Sequence, residues 1–156
     1  MKKIKIAGIR QILDLSQIDI LSLPAQSGHL ARVLTPLAEN RINLEFIMAH
    51  TSVHGTQDLI LGVKRNYITA ALGLVQGMRG NIPFQEMVCR DRVGMISLFP
   101  HGNRAAVIGN FLSAFLSGGI KPVAISLSLS AISGLMEERL LPRALNLLSD
   151  LFELTG

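Results

Sequence analysis

The side chains able to do chemistry in this chain are few and scattered. His50 and His54 lie four apart, but across a strand end and a turn rather than on one helix face. No cysteine or third histidine is near them in sequence, so they read as surface histidines and not as a metal pair. Glu137 and Glu138 are adjacent carboxylates that read as a solvated strand end rather than an acid and base. Gly77-Met78-Arg79-Gly80-Asn81 has neither the lysine nor the following helix of a phosphate loop. The single cysteine, Cys89, sits in the strand-like run Phe84 to Cys89 and reads as a small buried hydrophobe. No catalytic centre, metal site or cofactor is implied. The expectation is a protein that binds rather than an enzyme.

Composition narrows the class of partner. The 156 residues are 49% hydrophobic and 17% charged, more apolar surface than a lone domain of this size needs. The surplus points to a buried interface, and open sheet edges would strengthen the case for a homodimer. The net charge of +4 comes from fifteen scattered Lys and Arg residues, with no Trp and one Tyr to stack on bases, so nucleic acid is not expected as a partner. One cysteine excludes an internal disulfide and fits a cytoplasmic location. The stretch behind Met1 is broken by Lys5 and Arg10, which a signal-peptide core does not tolerate. Residues 105–136 carry only Lys121, but that charge and Gly118-Gly119 split them into segments too short to span a bilayer, so no membrane partner is expected.

The elements repeat once. Lys3 to Ile6 alternates as a half-buried strand, and Ile18 to Leu23 is a second strand stopped by Pro24. Pro24 to Gly28 is a turn whose Ser27 can cap a helix bearing Leu30, Val33, Leu34, Leu37 and Ala38 on one face, with Asn40 ending it in a left-handed conformation. Ile42 to His50 and Gln57 to Val63 form a hairpin. Asn66 caps a second helix, and Gly77 to Pro83 leads to the strand at Phe84. From Val93 the same order returns, strand to Phe99, helix Ala105 to Ser117, strands within Pro122 to Ser130 and Ile132 to Glu138, then a helix from Pro142 that carries Leu145, Leu148, Leu151 and Phe152 on its apolar side. The helix-to-strand junctions Ile42-Asn43 and Ile120-Lys121 are 78 residues apart. The pattern is a duplicated βαββαβ unit of class α+β, each copy a ferredoxin-like antiparallel sheet with its helices on one face. The expected division is 1–12 as an N-terminal strand completing the second module, 13–91 as the first and 92–156 as the second, which ends before a final strand of its own.

Pro24-Ala25-Gln26-Ser27-Gly28, the helix after it, Leu37-Ala38, Ile42-Asn43 and Gly55-Thr56-x-Asp58 resemble the ACT domain, and more narrowly the tandem ACT regulatory region of aspartate kinase. The resemblance implies a regulatory protein that binds a small amino-acid-like effector at a module interface and acts on a separate enzyme chain. The site residues it implies are Gln26, Ser27, Gly28, Ile42, Asn43 and Asp58: Gly28 opens the backbone, Gln26 and Asn43 offer amides, and Asp58 holds an ammonium group. The family's acidic loop residue is replaced by Ala25 and Gln26. In the second module the loop glycines become Leu98 and Pro100, and Ala106 stands where the helix-opening glycine would be. The alternative is therefore an interaction module that has kept the fold and lost the ligand.

Overall fold

The structure is a computed structural model that describes residues 2–25 and 28–155. The chain divides into two compact units. The central one is Leu15–Asp91, and a discontinuous one combines Met1–Asp14 with Arg92–Gly156. Two long strands, β2 (Gly8–Pro24) and β5 (Glu86–Phe99), give residues to both. Each has a left-handed non-glycine residue where it passes from one unit to the other, Asp14 and Arg92.

In the central unit β2 leads to α1 (His29–Glu39), the hairpin β3 (Leu44–Thr51) and β4 (Thr56–Lys64), a 3-10 turn at Arg65–Tyr67, α2 (Ile68–Gly77) and β5. The strand order is β3-β4-β2-β5, with β4 antiparallel to both of its neighbours. Helix α1 buries His29, Val33 and Leu37, a stripe recurring every fourth residue. Val33 and Leu37 pack with Ile18, Ile20, Leu59, Leu61 and Ala71 of the sheet and α2 in one core. The left-handed residue after α1 is Arg41, not Asn40, whose φ is −92°. The Asn40 side chain instead donates to the Pro36 carbonyl. Nor does Asn66 cap α2, because the 3-10 turn takes its place and feeds directly into the helix.

The discontinuous unit repeats the layout with β5, α3 (Ala105–Ser117), β6 (Ala124–Leu127), β7 (Ile132–Glu137) and α4 (Leu141–Leu151). Strands β5, β7 and β6 are antiparallel neighbours, and β2 flanks β5 on its other side. The N-terminal segment does complete this unit, but the residues beside β5 are those from Gly8 onward, entered through the Ala7 N–H bond to the Phe99 carbonyl. Ile4–Ile6 (β1) has a different partner. It pairs in parallel with β8 (Phe152–Leu154), a strand not expected from the sequence. Phe152 continues the four-residue spacing of Leu148, so periodicity alone cannot see that the helix stops; its backbone is extended, at φ −120° and ψ 148°. Phe152 and Ile6 share the core with Phe111, Phe115, Leu141 and Leu148.

This packing sets an expectation for β8. Phe152→Ala should lower stability by about 3 kcal/mol, in the range for truncating a buried aromatic. Leu154→Ala, at a position 64% exposed, should change it by less than about 0.5 kcal/mol. Urea denaturation of the two variants measures both, and equal effects would contradict the strand.

Candidate functional site

The residues singled out in the sequence fall in the central unit. Gln26 and Ser27 lie outside the described residues. Gly28 is the residue before α1, exposed and left-handed at φ 96°. A Cβ there would meet nothing within 4 Å, so the space above it is open, while its backbone conformation disfavours any other residue. Among the described residues no side chain caps α1 and its first turn has no acidic residue, so the positive end of the helix carries no described counter-charge.

Asp58 is already engaged. Strand β2 shifts register between Ile20 and Leu23, with Ser22 left-handed at φ 58°. The N–H released by that irregularity donates to Asp58 Oδ1 at 2.9 Å. The carboxylate that sequence reasoning gave to an ammonium group thus stabilises a bulge. Beside it the Ala25 N–H donates to the Gly55 carbonyl at 2.9 Å, tying the loop before α1 to the β3–β4 turn.

Ile42 and Asn43 are elsewhere. Ile42 is buried in the core, and its N–H donates to the Leu37 carbonyl at 2.9 Å as the chain leaves α1. Asn43 follows it and is exposed. The eleven residues of α1 separate this end from Gly28 by about 16 Å at the helical rise per residue. The structure therefore brings Gly28 and Asp58 to one end of the unit and leaves Asn43 at the other.

The corresponding loop of the discontinuous unit is closed on itself. His101 is fully buried, its Nδ1 accepting from the Asn103 N–H at 2.9 Å and its Nε2 lying 2.8 Å from the Ser128 carbonyl. Pro100 has no N–H to offer. That unit instead carries an open apolar hollow of about 440 Å³, lined by Leu112, Phe115, Leu116, Ile120, Lys121 and Ile125 among others. Helical spacing puts Leu112 and Leu116 on the inner side of α3 with Val107, Phe111 and Phe115, but the structure leaves Leu116 82% exposed and Leu112 37% exposed.

Cys89 corrects a further expectation, for it is exposed rather than buried. It sits on the charged stretch of β5, and its thiol pKa is raised, first by partial desolvation and then by the carboxylates of Asp91 and Asp19. It is thus a poor nucleophile at neutral pH. Among the described residues no three metal-ligating side chains are grouped, and no helix is long and apolar enough to cross a membrane. Asp58→Ala should cost about 1 kcal/mol by stranding the Ser22 N–H, while Asp58→Asn, which keeps an acceptor, should cost less. Thermal denaturation of both variants checks this, and a neutral Asp58→Ala would show that the bulge does not need the carboxylate.

No protein-family model matches the chain. An aspartokinase of Mycobacterium bovis is 26% identical over 155 residues, covering 97% of this chain and 37% of the relative. The chain thus spans little more than a third of the length of the curated relatives it matches. Among solved structures, the ligand-free regulatory subunit of aspartate kinase from Thermus thermophilus superposes with a TM-score of 0.85 at 24% identity, covering 95% of this chain and 99% of that one. A chain of E. coli aspartokinase III in complex with lysine and aspartate aligns at a TM-score of 0.68 and 15% identity, covering 95% and 33%. The fold is that of the aspartate kinase regulatory region, and the likeness extends over essentially the whole chain.

Proposed function

We propose that the chain is a non-catalytic regulatory module which binds a small amino-acid-like effector at the start of α1 and acts on an aspartate-kinase-like enzyme chain in the cytoplasm. The observation that carries this reading is the left-handed Gly28 at the head of α1, with open space above its backbone and no cap from any described side chain. Free amide N–H groups at the positive end of a helix dipole suit a carboxylate, and the glycine lets it approach. The matching loop of the second module is filled by His101 and Pro100, which favours a single effector site per chain. The likeness to a regulatory subunit supports the same division of labour, with the catalytic chain separate.

A homodimer belongs to this reading. Strand β6 is an open sheet edge, and Leu116, Ile125 and Leu127 beside it are substantially exposed. Burying them requires a second surface. Asn43, at the far end of α1, reaches a ligand on Gly28 only from a second copy, which would make effector binding depend on assembly. Sedimentation at micromolar concentration should show a dimer, and a stable monomer would remove that part of the account.

The direct test is a thermal-shift screen with the twenty amino acids. An effector at a hundred times its dissociation constant adds about 2.7 kcal/mol to stability. At least one should raise the melting temperature, with Asn43→Ala reducing the shift and Lys121→Ala leaving it unchanged. No shift with any of them would favour the alternative, an interaction module that has kept the fold without the ligand.

A further inference from the structure

His101 is fully buried in the discontinuous unit, and its partners fix its protonation state. The Asn103 N–H can only donate, so Nδ1 must accept from it; the Ser128 carbonyl can only accept, so Nε2 must carry the proton. Only the neutral ring in that tautomer satisfies both. A second proton would set Nδ1–H against the Asn103 N–H, donor against donor, and bury a charge with nothing to balance it. No carboxylate occurs from Val93 to Met136, a stretch that takes in β5 beyond Arg92, all of α3 and β6, and β7 up to its last residue. That last residue, Glu137, pairs with Arg139 at the other end of β7 from the turn. The remaining charged groups on the bordering elements are Lys121 before β6, Arg104, whose guanidinium donates to the Lys5 carbonyl at 3.5 Å, Lys5 with Glu153 opposite it in β8, and Arg10 farther along the N-terminal segment.

The same residue joins two loops. Its Nε2–H holds the Ser128 carbonyl and its backbone N–H holds the Ser130 carbonyl at 2.9 Å, so position 101 ties the turn between β6 and β7 to the segment before α3. The turn has bonds of its own besides, from the Ser128 N–H to the Ala131 carbonyl and from the Ala131 N–H to Ser128 Oγ. Leu127 and Leu129, 55% and 97% exposed, lie at and just beyond the end of the edge strand β6.

We propose that His101 is a proton-operated latch: protonation of its ring releases the β6–β7 turn from the loop before α3, loosens the end of β6 and weakens the pairing of two chains along that edge. The last step rests on the homodimer reading above; the latch itself does not. Closure and protonation exclude one another, so acidification favours the open loop and neutral pH the closed one. Opening leaves the hairpin whole, held by its own turn bonds, but removes its anchor.

The test follows the full chain, labelled with nitrogen-15 in its amides and histidine rings, from about pH 8 to about pH 5, the span in which histidine changes charge. His29, His50 and His54 belong to the central unit, so their titration is read apart from that of His101. At the upper end the His101 ring should show the Nε2–H tautomer. Acidification should protonate it together with a loss of hydrogen-exchange protection at the His101 and Asn103 amides, while sedimentation shows the dimer dissociation constant rising roughly tenfold. His101→Gln, whose amide can donate and accept without titrating, should keep both amides protected and the dimer constant unchanged over the whole range. If that variant does not fold, the wild-type ring spectrum and amide protection decide. A ring that titrates while both amides keep their protection, or one that stays neutral until the whole unit unfolds, would overturn the latch. Amides that open as the ring protonates while the dimer constant holds would overturn the coupling to assembly. A chain that is monomeric at every pH would remove the homodimer reading and that coupling with it, with the latch still read from the amides.

Discussion

A βαββαβ unit must place a fourth strand beside its first, and in the discontinuous unit that place beside β5 is taken by residues from before the first module. Its C-terminal strand, β8, is three residues long. The chain meets this constraint from its other end. Residues from Gly8 lie beside β5, and Ile4–Ile6 accepts β8 in a parallel pair extended by the Thr155 N–H to the Ile6 carbonyl at 2.8 Å. Ile6 and Phe152 then seal the core of that unit. An N-terminal strand with no place in the first module thereby becomes a structural necessity of the second.

The duplication survives in the backbone where the side chains have diverged. Ile42 and Ile120 each donate an N–H to the carbonyl five residues earlier, Leu37 and Phe115, so both helices α1 and α3 hand over to the next strand in the same way. What differs is the other end of those helices. Gly28 puts no side chain at the head of α1, while α3 follows a loop whose His101 ring is engaged by the Asn103 N–H and the Ser128 carbonyl. One copy has a left-handed glycine with open space at the head of its helix, and the other has a packed turn there. The second copy's exposed apolar surface, around Leu116 and Ile125, suits contact with another chain better than contact with a polar ligand.

Much of this was legible in the sequence because it rests on periodicity. The stripe of α1, the hairpin around Gly55 and the 78-residue offset needed only spacing and turn chemistry. The misses share a cause. The reading of separate strands at Phe84 and from Val93 missed that Glu86–Phe99 is one strand whose exposed middle is Arg90-Asp91-Arg92, since charges on a solvated strand position interrupt no hydrogen bond. Phe152 prolonged a helical spacing past the point where the backbone extends. Asp58 was judged by its charge, whereas its partner is a backbone N–H freed by a bulge that no sequence pattern announces.

The account stands or falls on where a ligand touches the chain. Backbone amide resonances of the full-length protein, followed during titration with the amino acid that stabilises it most, measure this directly. Binding at the head of α1 predicts that the amides of Gly28, His29, Leu30 and Ala31 move most, while those of residues 101–106 stay in place. Movement concentrated at residues 101–106 or at Lys121, with Gly28 to Ala31 unchanged, would contradict it.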